Sequence, residues 1–306
     1  MKVNDSDKNN NVNATAVTPS ATAVALGMFD GVHIGHVEVI NSALHQKHLK
    51  PAVFTFRVLK KPGGSILPYQ MKFNMLKSKG ISTIYSSDFD SVRDMSPEQF
   101  VQEILIEKMN CGYVSCGWDF RFSRNAKADS DDLKRICARC GIEVDIISPV
   151  YIDKEDESGG TPVSSTRIRE TIKNGNIALA NRMLGYNLTY ELEVVEGAKL
   201  GRKLGAPTIN QIIPGDCVLP KFGVYKSRVL VDVIHYIAIT NIGVKPTVNN
   251  SSTPLMETHI PGFNMDIYGQ SVKVSLQEFI REEKKFNSID ELKAQIHADV
   301  KEACRN

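Results

Sequence analysis

No stretch of this chain approaches the roughly 18 uninterrupted apolar residues of a membrane span, so no transmembrane segment is expected. Charge of one sign is also missing: 37 basic against 35 acidic residues leave a formal charge of +2, which gives no electrostatic footprint for nucleic acid or an anionic membrane. No GxxxxGK[ST] loop occurs, so any kinase activity needs another scaffold. Residues 1–20, rich in Asn, Asp, Ser and Thr, carry neither a basic leader nor an apolar core, and read as a disordered tail, not a targeting peptide. Six cysteines (Cys111, Cys116, Cys137, Cys140, Cys217, Cys304) in a chain of this length read as reduced thiols of a cytoplasmic protein. Cys137 and Cys140 form a CxxC, but no second Cys or His pair lies near them at finger-like spacing, which leaves buried helix thiols.

What the chain does contain is organised around residues 27–36, GMFDGVHIGH. They follow an apolar, strand-like run (residues 23–26) and open a segment, residues 37–48, with Val37, Ile40, Ala43 and Leu44 at helical spacing. Strand, glycine turn and helix start make a phosphate site. Gly27, Gly31 and Gly35 let the backbone approach a ligand, while the helix start offers unpaired N–H groups and a positive dipole end. His33 and His36, three apart, can donate hydrogen bonds to phosphate oxygens there; alone they also read as ordinary turn histidines. Around this turn, strand signals at residues 52–56, 81–85, 113–116 and 142–146 alternate with helix signals. The helices are expected at 69–79, from the Ser96, Pro97, Gln99 start to about 109, and at 130–139. Such alternation predicts a parallel sheet with helices on its faces and a ligand crevice at the carboxyl ends of the strands. Ser164, Ser165, Thr166, Arg167 and Arg169 enter a helix that Gly175 ends. Single hydroxyls there are caps, but with two arginines they suit a polyphosphate, since arginine offers planar charged forks.

From about residue 188 the texture changes. Residues 192–194, 224–231, 236–240 and 272–276 read as strands with Gly and Pro turns and no helix between them, which predicts a compact antiparallel barrel. A capping box at Ser288 and Glu291 opens a last helix with Leu292, Ile296 and Val300 on one face. The boundary is expected near Tyr186, giving modules at 21–186 and 187–306. Inside the second lies GRKLGAPTIN, residues 201–210. Thr208 and Asn210 alternate onto one side of an extended segment, and a Thr hydroxyl with an Asn carbonyl suits hard Mg²⁺. Glu257 and His259 also share a side, and a carboxylate near a phosphoryl acceptor can take its proton. By composition alone these stretches also read as a basic surface hairpin and a surface pair.

GMFDGVHIGH resembles the GxFDGxHxGH signature of the HxGH nucleotidyltransferases, and PVSSTRIR their ISSTxxR motif. GWDFRFS, residues 117–123, is similar to the GxDFRFG element of the prokaryotic FAD synthetases. GRKLGAPTIN resembles the GRxLGxPTxN motif of riboflavin kinases, whose other elements are matched in order by GVY (223–225), NIGVKPT (241–247), METHI (256–260) and DIYG (266–269). From about residue 24 to 300 the chain thus resembles the prokaryotic bifunctional riboflavin kinase/FAD synthetases. The resemblance implies a Rossmann-like α/β nucleotidyltransferase domain followed by a six-stranded antiparallel β-barrel with a C-terminal helix. It implies ATP, riboflavin and FMN as small-molecule substrates, with Mg²⁺, and leaves the oligomeric state open.

Carried over residue by residue, the resemblance makes Glu257 the base that deprotonates the ribityl hydroxyl, and Thr208 and Asn210 the Mg²⁺ ligands. Gly201, Arg202, Gly205 and Pro207 would cover the kinase's ATP. Gly27, Phe29, Asp30, Gly35, Ser164, Ser165 and Thr166 would receive the ATP of the second reaction. His33, His36 and Arg169 would stabilise its reacting charge, and Asp119, Phe120 and Arg121 would face the flavin. Two departures lie in the adenylylating half. Residues 55–60 read TFRVLK where the family has TFxPHP, and residues 123–129 hold no glycine, so a turn needing positive φ is strained or rebuilt. The implied outcomes are a bifunctional enzyme, a riboflavin kinase with an altered adenylylating domain, or a flavin-binding module without catalysis.

Overall fold

The computed structural model describes residues 21–57, 63–152, 160–197, 206–246 and 252–305. Residues 1–20, residues 58–60 of TFRVLK, and Gly201, Arg202 and Gly205 lie outside the described residues. The first half runs β1 (Thr22–Leu26), α1 (Ile34–Leu44), β2 (Lys50–Phe56), α2 (Tyr69–Ser78), β3 (Thr83–Ser87), α3 (Pro97–Gln99 continued by Phe100–Lys108), β4 (Cys111–Gly117), β5 (Arg121–Phe122), β6 (Ala128–Asp129), α4 (Ser130–Arg139) and β7 (Glu143–Ile147). Every residue of β1 is buried, which is why it reads as an unbroken apolar run: a parallel sheet with helices on both faces hides both sides of its central strand. The strand order is β3-β2-β1-β4-β7, all parallel. Chain order reverses between β1 and β4, so the ligand crevice of such a sheet lies beyond their carboxyl ends.

Helix boundaries follow their caps. At α3 the Ser96 Oγ accepts from the Gln99 N–H at 3.1 Å, and Gln99 Oε1 accepts from the Ser96 N–H at 2.8 Å, the expected capping box. Helix α1 starts at Ile34, earlier than its apolar spacing suggests, because His33 takes the N-cap: its Nδ1 accepts from the His36 N–H at 3.3 Å.

Helices α5 (Ser165–Lys173) and α6 (Ile177–Leu184) lead into β8 (Thr189–Glu193), β9 (Thr208–Ile212), β10 (Gly223–Val231), β11 (Ile234–Pro246), β12 (Ser252–His259), β13 (Ser271–Arg281) and α7 (Ile289–Ala303). The six strands pair antiparallel in the order β8-β13-β10-β11-β12-β9. The ends nearly close: the Val195 N–H meets the Asn210 carbonyl at 2.8 Å. The buried Gln211 amide donates to the carbonyls of Leu192 (2.6 Å) and Val272 (2.9 Å). Helix α7 lays Ile296 and Val300 on Val224 and Ile239. Its Ser288 hydroxyl accepts from the Glu291 N–H (3.2 Å), while the Glu291 carboxylate reaches past the cap to the Asn287 N–H (3.0 Å).

Residues 63–67 join the two sheets. The Ser65 N–H donates to the Asp216 carbonyl (2.7 Å) and the Ser65 carbonyl accepts from the Val218 N–H (2.8 Å). Beside it Gly64, at φ 83°, runs so close that a Cβ would sit 2.6 Å from the Cys217 carbonyl carbon. One apolar cluster continues across this contact, from Ile66, Ile168 and Ile172 to Tyr190 and Tyr225. Burial pushes the thiols of Cys111, Cys116 and Cys137 up to about 12, so they stay protonated and unreactive. Among the described residues no helix is long and apolar enough to cross a membrane, and no cluster of three His, Cys, Asp or Glu side chains could hold a metal ion.

Candidate functional site

The turn after β1 is strained where it is tightest. Phe29 (φ 50°) and Val32 (φ 40°) take positive φ together with Gly31 (φ 79°). A β-branched residue there is a genuine outlier, of the kind held in place only by its surroundings. The holding group is Asp30. Its carboxylate is 1% exposed; Oδ1 accepts from the Ile66 N–H at 2.8 Å, and Oδ2 accepts from Arg169 Nε and Nη2 at 3.2 and 3.1 Å. The Asp30 carbonyl accepts from Ser165 Oγ at 2.9 Å. Thus GMFDGVHIGH and the SSTRIR helix start, distant in sequence, are clasped at one residue.

Around that clasp the expected residues converge. His33 and His36 stack with ring centroids 3.5 Å apart, and His36 meets the Phe29 ring edge at 5.2 Å. His33 is buried, which lowers its pKa to about 4. It is therefore neutral at pH 7, and with Nδ1 accepting from the backbone its Nε2 carries the proton. Ser164 caps α5, accepting from the Arg167 N–H at 3.2 Å, and Thr166 is exposed at the helix mouth. Arg169 has spent two nitrogens on Asp30, and its Nη1 stands 3.4 Å from Thr166 Oγ1. Gly27 is pressed on the Phe29 ring, where a Cβ would lie 3.1 Å away; Gly35 has ordinary room, and its value is as open backbone in the first turn of α1.

Asp119 and Arg121 are exposed beyond the end of β4, and Phe120 stacks on Phe122 at 5.7 Å. The following turn takes positive φ at Ser123 (69°), Asn125 (57°) and Ala126 (53°). The glycine-free stretch thus keeps a left-handed turn and carries its strain. Phe56, at the end of β2, meets Phe54 and Phe89 edge-on.

In the barrel, register does what spacing could not. Strand β12 sets Glu257 directly opposite Asn210, and His259 opposite Thr208, on β9; directly opposed side chains share a face. Glu257 is also paired with Asn241 on β11, whose amide donates to Glu283 Oε1 at 3.1 Å. His259 Nδ1–H donates to the Pro207 carbonyl at 2.9 Å, pinning the segment that leads into Thr208. Asn210 is 5% exposed and its Oδ1 has no hydrogen-bond partner among the described residues. Thr208 lines a cavity of about 220 Å³ together with Pro207, Ile209, Ile260, Phe263, Asp266 and Tyr268, a mixed apolar and polar lining.

Sequence reasoning passed over Lys72, Tyr186 and Gln211. Tyr186 is half-buried, with its hydroxyl donating to the Gly31 carbonyl (2.5 Å), and desolvation of that hydroxyl raises its pKa. For Lys72 a signal existed: it lies one turn from Leu76 on the buried face of α2, an apolar stripe where a charge is unusual.

A family model described as FAD synthetase matches residues 16–167, and one described as riboflavin kinase matches residues 184–306. The bifunctional riboflavin kinase/FMN adenylyltransferase of Bacillus subtilis (strain 168) is 33% identical over 93% of this chain and 92% of its own length. That of Listeria monocytogenes is 31% identical over 90% and 89%. A crystal structure described as a macrolide-efflux protein from Streptococcus pneumoniae superposes with a TM-score of 0.83 at 32% identity, covering 94% of this chain and 95% of that one. The chain belongs to the bifunctional riboflavin kinase/FMN adenylyltransferase family.

Proposed function

We propose that the chain phosphorylates riboflavin to FMN with ATP in its barrel and adenylylates FMN to FAD with a second ATP at the turn after β1. The observation that carries the first step is the pairing of Glu257 with Asn210. It sets a carboxylate beside an oxygen with an open lone pair, as a kinase needs for a base next to a metal-bound phosphate. Glu257 takes the proton of the ribityl 5′-hydroxyl as its oxygen attacks the γ-phosphorus of ATP. The orphaned Asn210 Oδ1 and the Thr208 hydroxyl fit Mg²⁺, which when bound supplies charge neutralisation on the phosphates and takes most of its other ligands from them and from water. The cavity lined by Pro207, Thr208, Ile260 and Phe263 receives the adenine.

In the second reaction a phosphate oxygen of FMN attacks the α-phosphorus, and the bond to the leaving pyrophosphate breaks. No side-chain nucleophile is required. The His33 Nε2–H, His36, the open N–H groups at the start of α1, Ser165, Thr166 and the remaining edge of Arg169 hold the phosphates and their growing charge. Gly27, Phe29 and Gly35 shape the turn, and Asp119, Phe120 and Arg121 face the flavin. The modules divide near Tyr186, and the chain works in the cytoplasm, a reading that its free cysteines and its need for ATP support. The test is incubation with riboflavin and MgATP, and separately with FMN and MgATP, followed by chromatography of the flavins. FMN and FAD are expected; FMN alone would leave the kinase and refute the adenylylating half.

A further inference from the structure

Lys72, in the first turn of α2, is a buried cation that neither reaction uses. Its side chain is nearly inaccessible (3% exposed). Among the described residues its Nζ forms no ion pair; it donates to the Phe56 carbonyl at 2.8 Å, Thr55 Oγ1 at 3.3 Å and the Met28 carbonyl at 3.4 Å. The rings of Tyr69 and Phe73 lie 5.9 Å from it. An ammonium has three protons, and these three acceptors occupy them all, so none is left for a substrate. Burying such a charge is costly, and methionine would fill the same space without that cost.

The acceptors share a location. Met28 lies inside the strained turn, between Gly27 and Phe29. Thr55 and Phe56 are the last two residues of β2. Both are at carboxyl ends of neighbouring strands, where sheets of this class bind ligands. Thr55 Oγ1 itself donates to the Met28 carbonyl at 3.0 Å, so ammonium, hydroxyl and carbonyl form one knot. Released from it, the Met28 carbonyl would turn and the positive φ at Phe29 would relax. We propose that Lys72 is a positioning residue of adenylyl transfer: by locking Met28 to the end of β2, it holds the turn in the strained shape that receives ATP and fixes its distance from the flavin-side strand end. This rests on the adenylylating reading of the turn.

Among the described residues, the charged and titratable groups facing Lys72 are few. The turn contributes Asp30, α2 contributes Tyr69, and β2 contributes only Thr55 and the Phe56 carbonyl. Burial lowers the Lys72 pKa to about 8, against the opposing pull of Asp30. The knot therefore loosens as the proton leaves, and it lies in the adenylylating half, away from the barrel.

The test follows FMN-to-FAD and riboflavin-to-FMN conversion by the full chain with MgATP, on either side of about pH 8. The expected result is a decline in kcat for FAD formation as pH rises through that value, absent from FMN formation. Lys72→Met is expected to lower kcat for FAD formation on the order of 100-fold, with KM for ATP little changed and riboflavin phosphorylation intact. FAD formation by Lys72→Met at the unmodified chain's kcat overturns the assignment. So does a profile shared by both reactions, and that arm decides if the variant fails to fold. An unmodified chain that makes no FAD overturns the adenylylating reading itself, and this assignment with it.

Discussion

Asp30 and Arg169, 139 positions apart in the chain, form a buried ion pair whose acid also holds the Ile66 N–H. The pair is 2% and 7% exposed at its side chains, so neither charge is hydrated. Asp30→Asn leaves the guanidinium without its counter-charge. A loss of about 3–5 kcal/mol in unfolding free energy is expected by urea denaturation, with FAD formation lost before riboflavin phosphorylation.

Glu257→Gln keeps the shape of the pair with Asn210 and removes the base. Riboflavin phosphorylation is expected to fall by a factor of the order of 10²–10⁴, while adenylylation of supplied FMN stays unchanged. Phosphorylation at the original rate would show that another group accepts the hydroxyl proton.

Asn210→Ala removes the open oxygen at the centre of β9. The Mg²⁺ concentration that half-saturates riboflavin phosphorylation is expected to rise, with the Mg²⁺ dependence of FAD formation unmoved. Parallel titration of the two reactions checks this.

His33 supplies a pH dependence of stability. Its folded pKa of about 4 lies below the ordinary 6.5, so between those values the unfolded chain binds the proton more readily. Stability from this residue is complete above about pH 6.5 and is lost as pH falls toward 4, by about 3 kcal/mol. His33→Asn, which keeps an N-cap acceptor, is expected to flatten that part of the curve of unfolding free energy against pH.

Ala126 sits at φ 53° in a stretch without glycine. Ala126→Gly is expected to raise stability by about 1 kcal/mol, read as a higher Tm, because glycine occupies that region without the Cβ penalty.

What could be read in advance was local. The capping box at Ser96, the glycine stop at Gly175 and the apolar run of β1 are encoded within a few residues, and each stands where it was expected. Glu257 and Asn210 were legible as chemical types but not as partners, since their adjacency depends on β9 pairing with β12. Neither strand announces itself: β9 emerges from a Gly- and Pro-rich segment, and β12 contains Pro254, a residue that cannot donate to a ladder. Arg169 was legible as a charged fork, but its two bonds to Asp30 come from tertiary packing. Lys72 is marked in the sequence only by its place on the apolar stripe of α2; its acceptors, two of them backbone carbonyls, leave no mark there.

The ladder that Ser65 makes with Asp216 and Val218 bears on how such a protein can be inherited. A gene cut between the two modules would hand one descendant a loop whose amide and carbonyl turn to water, and the other a barrel whose Asp216 and Val218 groups do the same. Gly64 would keep a narrowness that no longer served a neighbour. Fission would also expose the part of the apolar cluster that Ile66 shares with Tyr190 and Tyr225, so lineages that keep this clip are expected to keep the two reactions on one polypeptide.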